Sequence, residues 1–203
     1  MKNLSTILII ITSLLSCGND DINTTNNKRT LPPITQIGAN TFGCYIDELL
    51  FIPRDGDGSF NSNDRAIYFK GGYPHPLDYN EIEIKDYKSE KTASLLMHIE
   101  ELDATGVGAY IINESNGLSN IDGLDHNYMH CRVWRDDVGN YQNYLSYENS
   151  GTITITNYSL SGRLVSGTFS GSVRNYQEPH DTIQITNGRF DFKWETLDET
   201  DFN

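Results

Sequence analysis

The sequence predicts an all-β fold, a single antiparallel β-sandwich or barrel that follows a signal peptide and a flexible tether. Two observations carry this reading. Apolar residues recur with period two, as in Thr152-Ile153-Thr154-Ile155-Thr156 and at Ile82 and Ile84 of EIEIKDY, the spacing of a strand with one buried face. Turn signals such as Asp137-Val138-Gly139-Asn140 separate the apolar runs at the roughly 8 to 12 residue interval of sandwiches and barrels.

Taken in order, strands are expected at Phe42 to Ile46, Leu49 to Ile52, Ala66 to Lys70, around Ile82 and Ile84, Leu95 to Ile99, Val107 to Ile112, Tyr128 to Trp134 and Tyr141 to Tyr147. Val165, Phe169 and Val173 share one face of LVSGTFSGSV, with Gly167 and Gly171 between them. Asn187-Gly188 separates two alternating runs and reads as a hairpin turn, because a type I′ turn needs positive φ at both central residues. Ile183, Ile185, Phe190, Phe192 and Trp194 would then face the core. Ser89 to Leu102 is the one stretch where a helix competes; its cluster Leu95, Leu96, Met97 and Ile99 fits neither period, and the expectation leans to strand.

The amino-terminal end sets the domain organisation. Residues 1–16 carry Lys2 and an apolar core from Ile7 to Leu15, the pattern of a signal peptide and too short for the roughly 20 apolar residues of a bilayer span. Leu14-Leu15-Ser16-Cys17 resembles the bacterial lipobox, in which the cysteine is lipidated and becomes the first residue of the mature chain. Two or three acyl chains on Cys17 would hold the protein to a membrane, where a single chain is marginal. Residues 17–36 are Asn- and Thr-rich and broken by Pro32-Pro33, a composition that reads as tether. Residues 37–203 are left as one all-β domain.

The chain carries 15 Lys and Arg against 28 Asp and Glu, a net charge of −13. That balance argues against nucleic acid and anionic headgroups as partners. With Cys17 assigned to lipid, Cys44 and Cys131 remain as an even pair: one disulfide in an oxidising compartment, closing a loop of about 87 residues, or two buried free thiols.

Candidate sites are few. Asp55, Asp57, Ser59, Asn61 and Asn63 place oxygen donors at alternate positions of RDGDGSFNSND, as a loop wrapping calcium would. Counted as an EF-hand loop, however, the sixth and twelfth positions are Phe60 and Ala66 instead of glycine and glutamate, and a solvated Asp-Gly turn uses the same letters. Calcium is the one cofactor considered. His126 and His130 are spaced for a transition metal if a third ligand joins them, while His75, His98 and His180 stand alone. There is no GxSxG, no Walker loop and no dinucleotide fingerprint. Tyr141, Tyr144, Tyr147, Tyr158 and Tyr176 would stack on sugar rings if exposed, or pack the core if not.

Beside the lipobox stand Gly38-Ala39-Asn40-Thr41-Phe42-Gly43-Cys44, Val165-Ser166-Gly167-Thr168-Phe169 and Thr186-Asn187-Gly188-Arg189-Phe190-Asp191. Together they resemble a Bacteroidota-type lipoprotein family of unknown function with an NTFGC block early and SGTF and GRFD blocks late. The resemblance covers most of residues 31–194. It implies an all-β fold and an outer-membrane location, and brings no catalytic residue. In such bacteria acids just after the lipidated cysteine resemble a surface-export signal, so Asp20 and Asp21 point to the cell surface, with the periplasmic face of the outer membrane as the alternative.

The expected function is a lipid-anchored, non-enzymatic binding or accessory module with a glycan or protein partner. A hydrolase of polysaccharide or peptide with dispersed carboxylates and a purely structural envelope lipoprotein are the competing classes.

Overall fold

The computed structural model describes residues 29–58, 60, 63–71, 79–89, 91 and 93–203. Cys17, Asp20, Asp21 and the proposed signal peptide lie outside them, as do Ser59 and Asn61 of the acidic loop. The strands are β1 (Thr41–Ile46), β2 (Leu49–Phe51), β3 (Ile67–Lys70), β4 (Tyr79–Lys85), β5 (Ser94–Glu100), β6 (Gly108–Ile112), β7 (Tyr128–Arg135), β8 (Asn140–Leu145), β9 (Gly151–Ser159), β10 (Leu164–Asn175) and β11 (Thr182–Lys193). Two single-turn helices, α1 (Leu102–Thr105) and α2 (Trp194–Leu197), follow β5 and β11. The fold is all-β, a curled antiparallel sheet that forms a half-barrel.

The curl comes from β10. Leu164 to Gly171 pair with β9, whereas Arg174 and Asn175, further along the same strand, pair with β8. One edge of β10 is thus shared by two strands and the sheet divides into two walls: β6-β9-β10-β11-β1-β2 and β8-β7-β5-β4-β3. Their inner faces enclose one core, in which Phe42 stacks on Phe169 with ring centroids 5.5 Å apart and Phe190 on Phe192 at 5.6 Å. Each buried phenylalanine contributes about 1.5–3 kcal/mol through the apolar surface it removes from water. Gly167 makes the packing possible: a Cβ there would lie 2.6 Å from the Thr154 carbonyl and 2.8 Å from the Phe190 ring.

Asn187-Gly188 is not a hairpin turn. β11 runs unbroken from Thr182 to Lys193, paired with β1 on one side and β10 on the other. Asn187 alone has positive φ, at 53°, and both registers shift there, between Gly43 and Tyr45 on β1 and between Phe169 and Gly171 on β10. One left-handed residue makes a bulge; a type I′ turn requires two. The bulge also explains why the buried positions change parity, from Ile183 and Ile185 to Phe190 and Phe192.

Ser94 to Glu100 is a strand because β4 and β7 complete its hydrogen bonds on both sides. Its apolar run fits no simple period because Leu96, on the outer face, is also covered and only 6% exposed. Tyr144 is wholly buried, so the structure assigns it to the core and not to a sugar-stacking surface.

The packed chain begins before residue 37. Asp191, 1% exposed, accepts hydrogen bonds from Thr35 Oγ1 and from the backbone N–H groups of Ile37, Gly38 and Ala39. A fifth donor is Ser166 Oγ at 2.7 Å. Arg189 and Asn157 donate to the carbonyls of Pro32 and Gln36. The segment entering the domain is thereby held on the outer face of β9, β10 and β11, the wall opposite the candidate site.

Candidate functional site

Register places the polar side chains of the second wall in rows on its outer face. Lys70, Glu81, His98 and Tyr128 form one row across β3, β4, β5 and β7. Glu83, Leu96, His130 and Leu145 form the next, then Lys85, Ser94, Arg132 and Asn143. Trp134 and Tyr141 close the series. The alternate residues of the same strands, Ile82, Ile84, Leu95, Met97, Met129 and Cys131, face the core, as a period of two demands.

A roof crosses part of this face. Residues 113–127 leave β6, pass through a 3-10 turn at Asn120–Asp122 and return into β7. Asn120 donates its backbone N–H to Glu81 Oε1 at 2.7 Å, and the Tyr128 hydroxyl donates to the Leu118 carbonyl at 3.0 Å. Glu100 donates its backbone N–H to Asn127 Oδ1, and Ser146 Oγ donates to the Asn113 carbonyl.

Under the roof His98 lies between two carboxylates. Its Nδ1 is 2.9 Å from Glu81 Oε1 and its Nε2 is 2.7 Å from Glu100 Oε1. The ring is stacked between Tyr79 and Tyr128, with centroids at 4.8 and 4.4 Å. Carboxylates only accept, and a neutral imidazole has one N–H, so both contacts are hydrogen bonds only when the triad holds an extra proton on the ring or on a carboxyl. Burial alone would raise the pKa of Glu81. Hydrogen bonds from His98 and the Asn120 amide, with the positive charges of His98 and Lys70, outweigh it and hold that carboxyl below its usual range. Burial, then the charges of Glu81 and Glu100, push the Tyr128 phenol up. Glu81 Oε2 is buried without a partner, a desolvation cost the triad carries.

Three cavities open along the face. The first, about 300 Å³, is lined by Glu83, Ser94, Leu96, Asn120, Asp122 and His130. The second, about 270 Å³, shares Ser94 and adds Lys85, Tyr87 and Arg132. The third, about 240 Å³, shares His130 and Gly117 with the first and adds Asn143, Leu145 and Tyr176. The three cavities share lining residues and so adjoin one another along the face, as a trough. Burial pushes the His130 imidazole below its usual pKa, leaving it neutral at pH 7, with Nδ1 3.1 Å from Ser115 Oγ. Neither Glu81 nor His98 lines any of the three cavities.

Of the residues singled out from sequence, His130, Cys131 and Tyr176 line the trough, and the others fall elsewhere. Asp55 spends both carboxylate oxygens on protein: Oδ1 accepts the Ala66 N–H and Oδ2 the Phe202 N–H, each at 2.7 Å. It ties the loop to the carboxyl-terminal segment. Among the described residues no group of three or more His, Cys, Asp or Glu is arranged to hold a metal ion. His126 contacts the Glu114 carbonyl and His130 contacts Ser115, so the two do not converge. Cys44 and Cys131 are free, buried thiols, not a disulfide. Burial pushes Cys131 up to about 12 and Cys44 higher still, with a further contribution from its neighbour Cys131.

Among the aromatics, Tyr176 is exposed. Tyr141 lies under the Arg132 guanidinium, 3.9 Å from its ring centroid. Tyr158 donates to Asp103, and Tyr147 lies beneath Arg174. His98 and its two glutamates had no signal in the sequence beyond alternation. Glu81, Glu83, His98 and Glu100 occupy the face opposite Ile82, Ile84, Met97 and Ile99, and only the strand order shows that they meet.

Comparison of the chain with protein-family models, with curated proteins and with solved structures finds no match.

Proposed function

We propose that the protein is a lipid-anchored lipoprotein of the outer membrane, displayed at the cell surface, whose β domain is a binding module with the trough as its ligand face. The observation that carries the reading is the adjacency of three cavities on one sheet face, which share Ser94, Gly117 and His130 and are lined by polar groups. Its orientation supports the same reading. The segment that would lead to Cys17 is held on the opposite wall by Asp191, Arg189 and Asn157, so attachment through the amino terminus leaves the trough facing away from the anchor.

No helix among the described residues is long and apolar enough to cross a membrane, so the anchoring half of the proposal rests on Leu14-Leu15-Ser16-Cys17. Metabolic labelling with a palmitate analogue tests it. Label that disappears in Cys17→Ala supports the anchor; a wild-type protein that takes up no label removes it. A screen of oligosaccharides and peptides against the purified protein tests the binding half. Saturable binding that is lost in Ser94→Trp, which fills the trough, is the expected result. Binding insensitive to that substitution would place the ligand elsewhere.

A further inference from the structure

The row Lys85, Ser94, Arg132 and Asn143 carries the trough one step further. These residues are directly opposite one another on four neighbouring strands. At about 4.8 Å per strand they form a line of hydrogen-bond donors about 14 Å long. Two acids beside the row already have cations. Asp86 takes Nε and one Nη of Arg54, each at 2.8 Å, and Glu83 takes Lys85 at 2.6 Å and Lys70 at 3.6 Å. Arg132 differs: it is exposed, and among the described residues it makes no ion pair. Its guanidinium instead lies over the Tyr141 ring, 3.9 Å from the centroid, a contact that restricts the fork. A chain with a net charge of −13 thus keeps an un-neutralised guanidinium, stacked on a tyrosine, in the trough, and a fixed guanidinium fork is matched by a carboxylate.

The rest of the surface decides what carries that carboxylate. β5 and β7 have both edges paired, so the floor offers no backbone groups to an extended peptide, which would need an open sheet edge. What remains are side chains suited to hydroxyl groups: Ser94, Asn143 and the neutral His130, with the Tyr176 ring beside them. We infer that the trough binds an acidic oligosaccharide, with a uronate carboxylate on Arg132 and ring hydroxyls on Ser94, Asn143 and His130. The inference rests on the trough being the ligand site and adds the class of ligand.

Two-dimensional NMR titration of the purified protein with trigalacturonate, with its methyl ester and with a neutral trisaccharide tests it. Saturable shifts at the Ser94 amide, the Arg132 Nε–H and the Asn143 side-chain amide are expected with the acid. Binding should weaken about tenfold or more on esterification, and by a similar factor in Arg132→Gln, with Arg132→Lys in between. Because Arg132 is exposed, these variants keep the fold. Equal binding of acid and ester, or an unaffected Arg132→Gln, would overturn the inference. So would shifts elicited only by acidic peptides. If the neutral trisaccharide alone shifts trough residues, the binding-module reading survives and the carboxylate subsite falls; if no probe shifts any trough residue up to about 10 mM, both fall.

Discussion

His98 meets Glu81 at 2.9 Å in a place where neither side chain reaches water, their exposures being 1% and 0%. The contact does two tasks, since the same glutamate oxygen receives the Asn120 amide from the roof. Removing one partner of a buried charged pair leaves the other desolvated and uncompensated, at a cost of about 3–5 kcal/mol. His98→Leu is therefore expected to lower the urea midpoint sharply, while Glu81→Leu/His98→Leu recovers part of the loss. A double-mutant cycle should give a coupling of about 1 kcal/mol or more; additive single effects would show that the pair does not act as a unit.

Asp191 fixes where the tether ends. Burial raises its pKa, but hydrogen bonds from Thr35, Ser166 and the amides of Ala39 and Gly38 outweigh burial and hold the carboxyl below its usual range. A carboxyl depressed in the folded state contributes stability that is fully present above its unfolded value, about 3.9, and is lost as pH falls through the folded value. Asp191→Asn is expected to destabilise the protein at pH 7 and to release residues 35–39 to proteolysis. The gap between variant and wild type should narrow as the medium is made more acid. A gap independent of pH would mean that the charge on Asp191 is not what holds the segment.

Period two was enough to read most strands. β1, β2, β3, β6, β7 and β8 lie within a residue or two of the expected spans because one face of each is more buried than the other; β5 does too, although both of its faces are covered. Asn187-Gly188 misled for a physical reason. A bulge and a hairpin both put Asn or Gly at positive φ and both reverse the parity of buried residues; only the pairing of β11 with β1 and β10 separates them. The trough was not legible as a site, although His130 and Tyr176 in its lining stood out singly. Lys85, Ser94, Arg132 and Asn143 become neighbours through strand order and register, which alternation in any one segment does not encode. Asp55 shows the reverse: letters that resemble a cation loop belong to a carboxylate already satisfied by two backbone amides.

Gly167 tests how tightly β9, β10 and β11 pack within the first wall. A methyl group there would press on the Thr154 carbonyl and the Phe190 ring, and the backbone atom cannot rotate away. Gly167→Ala is expected to cost about 1–3 kcal/mol. A neutral effect on the thermal midpoint would mean that β9 and β10 shift apart freely.

The two core thiols should be inert in the native protein. The thiolate is the reactive form, and burial disfavours it at Cys44 and Cys131. At pH 8 iodoacetamide is expected to modify neither cysteine until denaturant is added, after which both react. Rapid native labelling would contradict their burial, and no reaction even in denaturant would show that they are joined.

The claim that the trough is the ligand face is tested most directly by hydrogen exchange with and without a bound oligosaccharide from the screen. Protection is expected in Ser94 to Met97 and Asn116 to Asp122, the floor and roof that line the adjoining cavities. Protection confined instead to Thr152, Thr154, Thr168 and Arg189, which line a separate cavity on the opposite wall beside the tether, would contradict it.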